Sequence, residues 1–375
     1  MKISLKTCLF LTLIIASLFA SWRGVYASYE VQASNNPEDG VSSLRIDTPT
    51  QKNDVTENEK TESLALSSDV PLVFPKSISP SSRYSPDVAD SKQQWALQKI
   101  HAIPSTWNVK NNSPVLVAVL DTGIDKNHEE FYGRVVAEID LSKSATADDI
   151  YGHGTPIAGI IAADVENGLG MIGLATESRL INVKVADDKG TCQISILAAG
   201  IIWAVDNGAK VINISIELKE STTELKNAVN YAWNNGAIII AASGNDGNSL
   251  PVYPASCENC IGVTAIQENG TLAPLANYGD WVDVAAPGMD IYSTLPGNKY
   301  GYKHGTSFAA AYVSGLAALL FSIATDTNGD GKLNDEVRRA IEAGCEGIDI
   351  PGTGKGNINV ANSIAELAVD PGYIS

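Results

Sequence analysis

Three residues stand in short contexts suited to nucleophilic catalysis. Asp121 closes the apolar run Val117-Ala118-Val119-Leu120 and is followed by Thr122-Gly123. His153 lies in Gly152-His153-Gly154-Thr155-Pro156-Ile157-Ala158-Gly159, and Ser307 in His304-Gly305-Thr306-Ser307-Phe308-Ala309-Ala310-Ala311. A serine hydroxyl is a weak nucleophile until a base removes its proton, which is a task for His153. That imidazole needs a fixed tautomer and a partner for its transient positive charge, and a carboxylate such as Asp121 supplies both. Ser307 opens the long apolar segment Phe308–Phe321, so the backbone amides and positive end of a helix would face the oxyanion formed on attack. A second donor is legible at Asn245, which follows Ala241-Ala242-Ser243-Gly244. Alone, each motif is as easily a turn or a satisfied helix start. Together they describe one site.

Such a site needs elements that bring distant residues together. Apolar, strand-like runs occur at Val115–Leu120, Leu180–Val185, Val211–Ile216, Ala237–Ala242, Cys260–Ile266 and Val282–Ala286. Helical spacing marks Ile194–Val205, and Leu225–Trp233 follows a capping box from Ser221 to Glu224 and stops before Gly236. Phe308–Phe321 is apolar on nearly all sides, which predicts a helix buried through the centre. Continuous apolar strands separated by helices predict an α/β fold, a doubly wound, mostly parallel sheet with helices on both faces. In such sheets chemistry gathers at the carboxyl ends of the strands.

With these motifs in this order, the chain resembles the subtilases, and within them the thermitase branch. Asn230-Tyr231-Ala232-Trp233, Tyr253-Pro254-Ala255 and Trp281-Val282-Asp283-Val284-Ala285-Ala286-Pro287-Gly288 add to the likeness, which runs from about Gln94 to Ile364. The resemblance implies a serine endopeptidase that cleaves polypeptides through an acyl-enzyme on Ser307, with Asn245 in the oxyanion hole and calcium as a structural ion. It also implies a substrate-pairing strand at Ser215-Ile216-Glu217, an opposing edge at Gly190, and a contribution from Ser243 and Gly244. The chain departs from the pattern in several places. Ala311 stands for a usual proline, Pro156 for a second histidine, Glu217 for a glycine and Cys192 for the second glycine of the opposing edge. Glu217 would either favour a basic residue before the cut or pair with Lys219. The alternative reading of the whole chain is a catalytically impaired relative that binds peptides or serves as a surface protein.

Two segments suggest calcium. Asp164–Met171 resembles the family's strong calcium loop. By that match the Asn167 side chain and the carbonyls of Asp164, Leu169 and Met171 would bind the ion, with Glu130 replacing an aspartate. The second segment rests on spacing as well. Asp326, Asn328 and Asp330 occupy positions 1, 3 and 5 of an EF-hand-like loop, Gly331 follows at 6, and Lys332 belongs to the ligand set. Position 12 is Val337, so Asp335 or Glu336 must replace the usual acid, and the site should be distorted and weak. A predicted helix Asp335–Ala343 follows. The competing reading is a polar turn capped by Asn334, with no ion.

The remainder of the chain sets compartment and limits. It has 375 residues and a net charge of -17, which argues against nucleic-acid binding, and no basic cluster contradicts that. Lys2 and Lys6, the apolar run Cys8–Ala20 and Val25-Tyr26-Ala27 predict a signal peptide over 1–27 and a secreted product; the run is short for a membrane span. Residues 28–90 are polar and predicted disordered, as a pro-segment or linker. The peptidase domain is expected over 91–368, with a short tail at 369–375. We expect a monomer acting on polypeptides, with no membrane span after signal cleavage. For Cys257-Glu258-Asn259-Cys260 a small loop disulfide is favoured over metal or redox use.

Overall fold

A computed structural model describes residues 92–102, 114–164 and 170–368. The expected signal peptide, the 28–90 segment and the 369–375 tail lie outside them.

Seven strands form one parallel sheet: β1 (Leu116–Asp121), β2 (Val135–Asp140), β3 (Arg179–Lys184), β4 (Val211–Ile214), β5 (Ile238–Ala242), β6 (Cys260–Ile266) and β7 (Val284–Pro287). Their order is β2-β3-β1-β4-β5-β6-β7. Alternate residues of each strand enter separate cores, as a two-residue period requires. Val117 and Val119 pack on one face, whereas Ala118 and Leu120 pack on the other. Because both faces are covered, the strands read as unbroken apolar runs.

One face carries α2 (Gly154–Ala162), α5 (Thr306–Phe321), α6 (Asn334–Gly344) and α7 (Val360–Ala368), after the short α1 (Trp95–Lys99). The other carries α3 (Ile194–Asp206) and α4 (Thr223–Asn234). Every residue of α5 is buried, so the apolar segment is the central helix expected of it. Helix α4 is amphipathic, and its cap falls one residue later than the Ser221 capping box predicts. Thr222 Oγ1 accepts the Leu225 amide at 3.2 Å, while Ser221 Oγ is buried with no partner among the described residues.

Three strands escape the apolar-run criterion. β2, at the sheet edge, is only partly buried. β8 (Ile291–Leu295) and β9 (Lys299–Lys303) form a separate antiparallel hairpin. Its Ser293 and Thr294 hydroxyls donate to the Pro156 and Thr155 carbonyls, at 2.7 and 2.8 Å, and so brace the start of α2.

The expected disulfide is absent: Cys257 and Cys260 are free thiols, as are Cys192 and Cys345. The backbone closes the turn instead, through the Cys260 amide donating to the Cys257 carbonyl at 3.1 Å. Cys260 opens β6 with its side chain in the core beneath α4, and burial pushes its thiol well above the ordinary value. Cys192 and Cys345 are each pushed up to about 12, again chiefly by burial. Such thiols are poor nucleophiles and poor metal ligands at neutral pH.

Candidate active site

β1 is flanked by β3 on one side and by β4 on the other, so its carboxyl end is the switch point of the sheet. Asp121 occupies that end, in register with Lys184 of β3. Gly123, two residues on, has φ +112°, and a side chain there would strike the Ala147 carbonyl. The chain therefore turns sharply after Asp121 and passes beneath the segment that leads into α2.

His153 stands at the start of α2, and its Nδ1 faces both Asp121 oxygens, at 2.8 and 3.0 Å. A carboxylate only accepts, so Nδ1 carries the proton and Nε2 is left as the base. Gly154 permits this approach, since a Cβ there would lie 2.1 Å from the Gly123 carbonyl oxygen. Burial works to lower the His153 pKa. The charge and hydrogen bond of Asp121, aided by Asp149, outweigh it and leave the imidazole above its ordinary value, with Lys303 opposing.

Asp149 has no motif, and reading the sequence missed it. It is 4% exposed, and its Oδ1 accepts from Thr122 Oγ1 and the Gly152 amide, both at 2.7 Å, and from the His153 amide at 3.3 Å. Its Oδ2 accepts the Thr155 amide at 2.8 Å. One carboxylate thus caps α2 and ties the residue after Asp121 to the backbone of His153. The available signal was its place four residues before the histidine, just ahead of a helix start. Pro156 fits because it sits in the first turn of α2, where its amide would have no partner in the helix.

Ser307 is the second residue of α5 and is 5% exposed. The His153 ring packs on the adjacent Phe308, centroids 5.8 Å apart. Among the described residues no hydrogen bond joins Ser307 Oγ to His153; such bonds are often loose before substrate binds. Asn245 is better fixed. Its Oδ1 accepts the Thr306 amide at 2.9 Å and Thr306 Oγ1 at 3.2 Å, while the same Oγ1 accepts the Gly244 amide at 3.1 Å. A backbone amide can only donate, so the atom facing it is the oxygen. Asn245 Nδ2 remains available as a donor.

Ser215, Ile216 and Glu217 continue beyond the carboxyl end of β4. Beyond β3, Ala186 and Cys192 pair as an antiparallel bridge, and Gly190 turns at φ +78° against the Tyr151 ring. The two segments lie beyond the strands on either side of β1, which ends at Asp121. Ser215 Oγ lies 3.5 Å from the Ser307 carbonyl, and Ser243 Oγ donates to the Asn277 carbonyl at 2.9 Å. Glu217 forms the expected ion pair, with Lys219 2.5 Å from Oε1, and Lys219 also contacts Asp246. Glu217 Oε2 in addition accepts the Asn245 amide at 3.2 Å.

The expected calcium residues divide. Asn167 and Leu169 lie outside the described residues. Glu130 is fully buried, and its Oε1 accepts the Met171 amide at 3.2 Å and Tyr300 Oη at 2.7 Å. The Asp164 side chain pairs with Arg134 at 2.8 Å. Among the described residues no group of three His, Cys, Asp or Glu is already gathered to hold a metal.

The fold and this arrangement define a class, and sequence comparison agrees: residues 112–343 match the model of the subtilase family (Peptidase_S8), and the chain belongs to that family of serine endopeptidases. Among its relatives is a thermophilic serine proteinase of Bacillus sp. strain AK1, 44% identical over 69% of this chain and 64% of that protein. Thermitase of Thermoactinomyces vulgaris is 39% identical over 73% of this chain and 96% of its own length. In three dimensions the chain resembles a protease from Pseudoalteromonas arctica, with TM-score 0.68, 27% identity, and 76% and 99% of the two chains covered.

Proposed function

We propose that the chain is an exported endopeptidase in which Ser307 attacks the peptide carbonyl, His153 takes its proton and Asp121 holds the imidazole. The observation that carries this reading is the Asp121–His153 pair, with Nδ1 committed and Nε2 left as the base, placed beside the start of α5. Attack forms the bond from Oγ to the carbonyl carbon, and the proton passes to His153 Nε2. His153 then returns it to the leaving amine, and water repeats the sequence to release the acyl group. The α5 amides and Asn245 Nδ2 stabilise the oxyanion, which exists only after attack.

An extended polypeptide pairs with Ser215–Glu217 on one side and the Gly190 edge on the other, with Ser243 and Gly244 completing the wall beside Asn245. Among the described residues no helix is long and apolar enough to cross a membrane. The 1–27 leader supports export, the exported chain is read as a monomer, and the acidic charge opposes any role on nucleic acid. The 28–90 segment is read as a pro-segment or linker preceding a peptidase domain that ends near 368.

The 164–171 loop suits calcium through its oxygen donors. Glu130 and the carbonyls of Asp164, Leu169 and Met171, with the Asn167 side chain, would hold the ion there as a structural brace.

Labelling by a fluorophosphonate probe tests the reading. The parent should be labelled and should hydrolyse unfolded protein, and Ser307→Ala should do neither. Unaltered hydrolysis by Ser307→Ala would falsify the mechanism.

A further inference from the structure

The proteolytic reading leaves one sequence motif unused, the loop that begins at Asp326 between α5 and α6. Its side chains fold onto their own backbone. Asp326 accepts the Gly329 and Gly331 amides at 2.7 and 2.8 Å, Asn328 the Asp330 amide at 2.8 Å, and Asp330 the Lys332 amide at 2.8 Å. Those turns describe a tight, exposed loop and nothing more.

The carboxylates behind the loop carry further information. Val337, in the twelfth position, is fully buried in the core and offers no ligand. Glu336, one residue earlier on α6, takes that place. It is 3% exposed and reaches back to the loop, where its Oε1 accepts the Thr327 amide at 2.8 Å and Thr327 Oγ1 at 3.0 Å. Its Oε2 is buried with no hydrogen-bond donor among the described residues, as is Asp335 Oδ1, and the two carboxylates face each other. The other Asp335 oxygen accepts from Asn328 Nδ2 at 2.5 Å. A buried carboxylate oxygen without a donor is costly. Here two of them lie in an eleven-residue stretch that already holds Asp326 and Asp330. The adjacent lysine contributes little, because Lys332 is half-exposed and its ammonium lies 3.5 Å from Asp330.

We propose that this segment is a calcium site in which Asp326, Asn328, Asp330 and the Lys332 carbonyl supply the loop ligands and Glu336, assisted by Asp335, closes it. All donors are oxygen, several are anionic, and they are carried on a loop able to reach the six to eight ligands calcium takes. Magnesium, which keeps several waters and demands an octahedron, suits so large a set of protein oxygens less well. The site braces the connection between α5, which carries Ser307, and α6. It does not depend on the proteolytic reading and can be tested in the inactive full-length Ser307→Ala protein, where self-digestion is absent.

The probe is calcium itself, titrated into calcium-free protein and followed by calorimetry and thermal unfolding. Terbium luminescence excited through tryptophan adds a local reading, because the Trp233 carbonyl accepts Asn334 Nδ2 at 3.1 Å. Asp326→Ala with Asp330→Ala should remove one bound calcium per chain and part of the calcium-dependent rise in melting temperature. Glu336→Gln keeps the acceptor for Thr327 and should weaken that one calcium at least about tenfold. Both replaced aspartates are exposed, and circular dichroism of the calcium-free proteins checks that the fold is retained. The proposal is overturned if the parent binds no calcium, or if the double variant binds as many ions as tightly as the parent. An unchanged affinity in Glu336→Gln overturns the closing role assigned to that residue.

Discussion

Asp149 lies behind the Asp121–His153 pair, and its four accepted hydrogen bonds set where the imidazole stands. Asp149→Asn keeps the shape but turns one acceptor into a donor facing an amide. We expect kcat to fall by up to about a hundredfold through misplacement, with KM little changed. The charge adds a second signature. Asp149 helps raise the His153 pKa, so removing it should move the acid limb of the pH profile of kcat/KM to lower pH. A fall in rate with an unmoved limb would show that Asp149 acts through geometry alone. Asn245→Ala should reduce kcat about a hundred- to a thousandfold with KM nearly constant, a size taken over from the corresponding donor of a subtilisin. Steady-state kinetics on a peptide substrate check both variants. The Asp121, His153, Ser307 and Asn245 set was legible because each stands in a fixed motif. Asp149 was not, since its importance rests on a loop folding back to offer it the amides of Gly152, His153 and Thr155 and the Thr122 hydroxyl. Glu217 was half legible: its position was apparent, but its bond to the Asn245 amide was not.

Among the elements, strands buried on both faces announced themselves, and β6 matches its predicted span of Cys260–Ile266. Strands with a wet face did not. β2 and the β8–β9 hairpin carry tyrosines, lysines and glutamate among their apolar residues, so no continuous run marks them. The cap of α4 illustrates the limit more finely. Ser221 and Thr222 are chemically equivalent candidates, and only the backbone path selects the threonine. Thr222→Ala should therefore cost about 1 kcal/mol of unfolding free energy. Ser221→Ala removes a buried hydroxyl with no partner and should cost nothing measurable or stabilise slightly. Urea unfolding of the Ser307→Ala background measures both, and equal losses would restore the sequence-based assignment. The start of α6 shows the same effect in a loop. One residue of helical phase places Val337 in the core and hands its expected ligand position to Glu336. Asn334 meanwhile forms the first residue of α6 and binds the Trp233 carbonyl instead of capping the turn.

For the molecule as a whole, the His153–Asp121 pair links stability and activity to pH with opposite signs. The folded-state pKa of His153 is raised, so its contribution to stability is fully present below the unfolded histidine value. That contribution is lost as pH rises through the folded value. Catalysis needs the neutral imidazole and appears over the same rise. In the Ser307→Ala protein the melting temperature should decline across the window in which the parent's kcat/KM climbs. In Ser307→Ala combined with His153→Ala that component of the decline should vanish; if it persists, another group causes it.

Because every residue of α5 is buried, Ser307 has no mounting that exists before the core does. Asp121 ends a strand between two later ones, and Asn245 needs Thr306 to hold its amide. None of these parts can be assembled locally by a short stretch of chain. The proposed site is therefore complete only once α5 is packed against the sheet. The same central helix thus makes formation of the site and formation of the core one event.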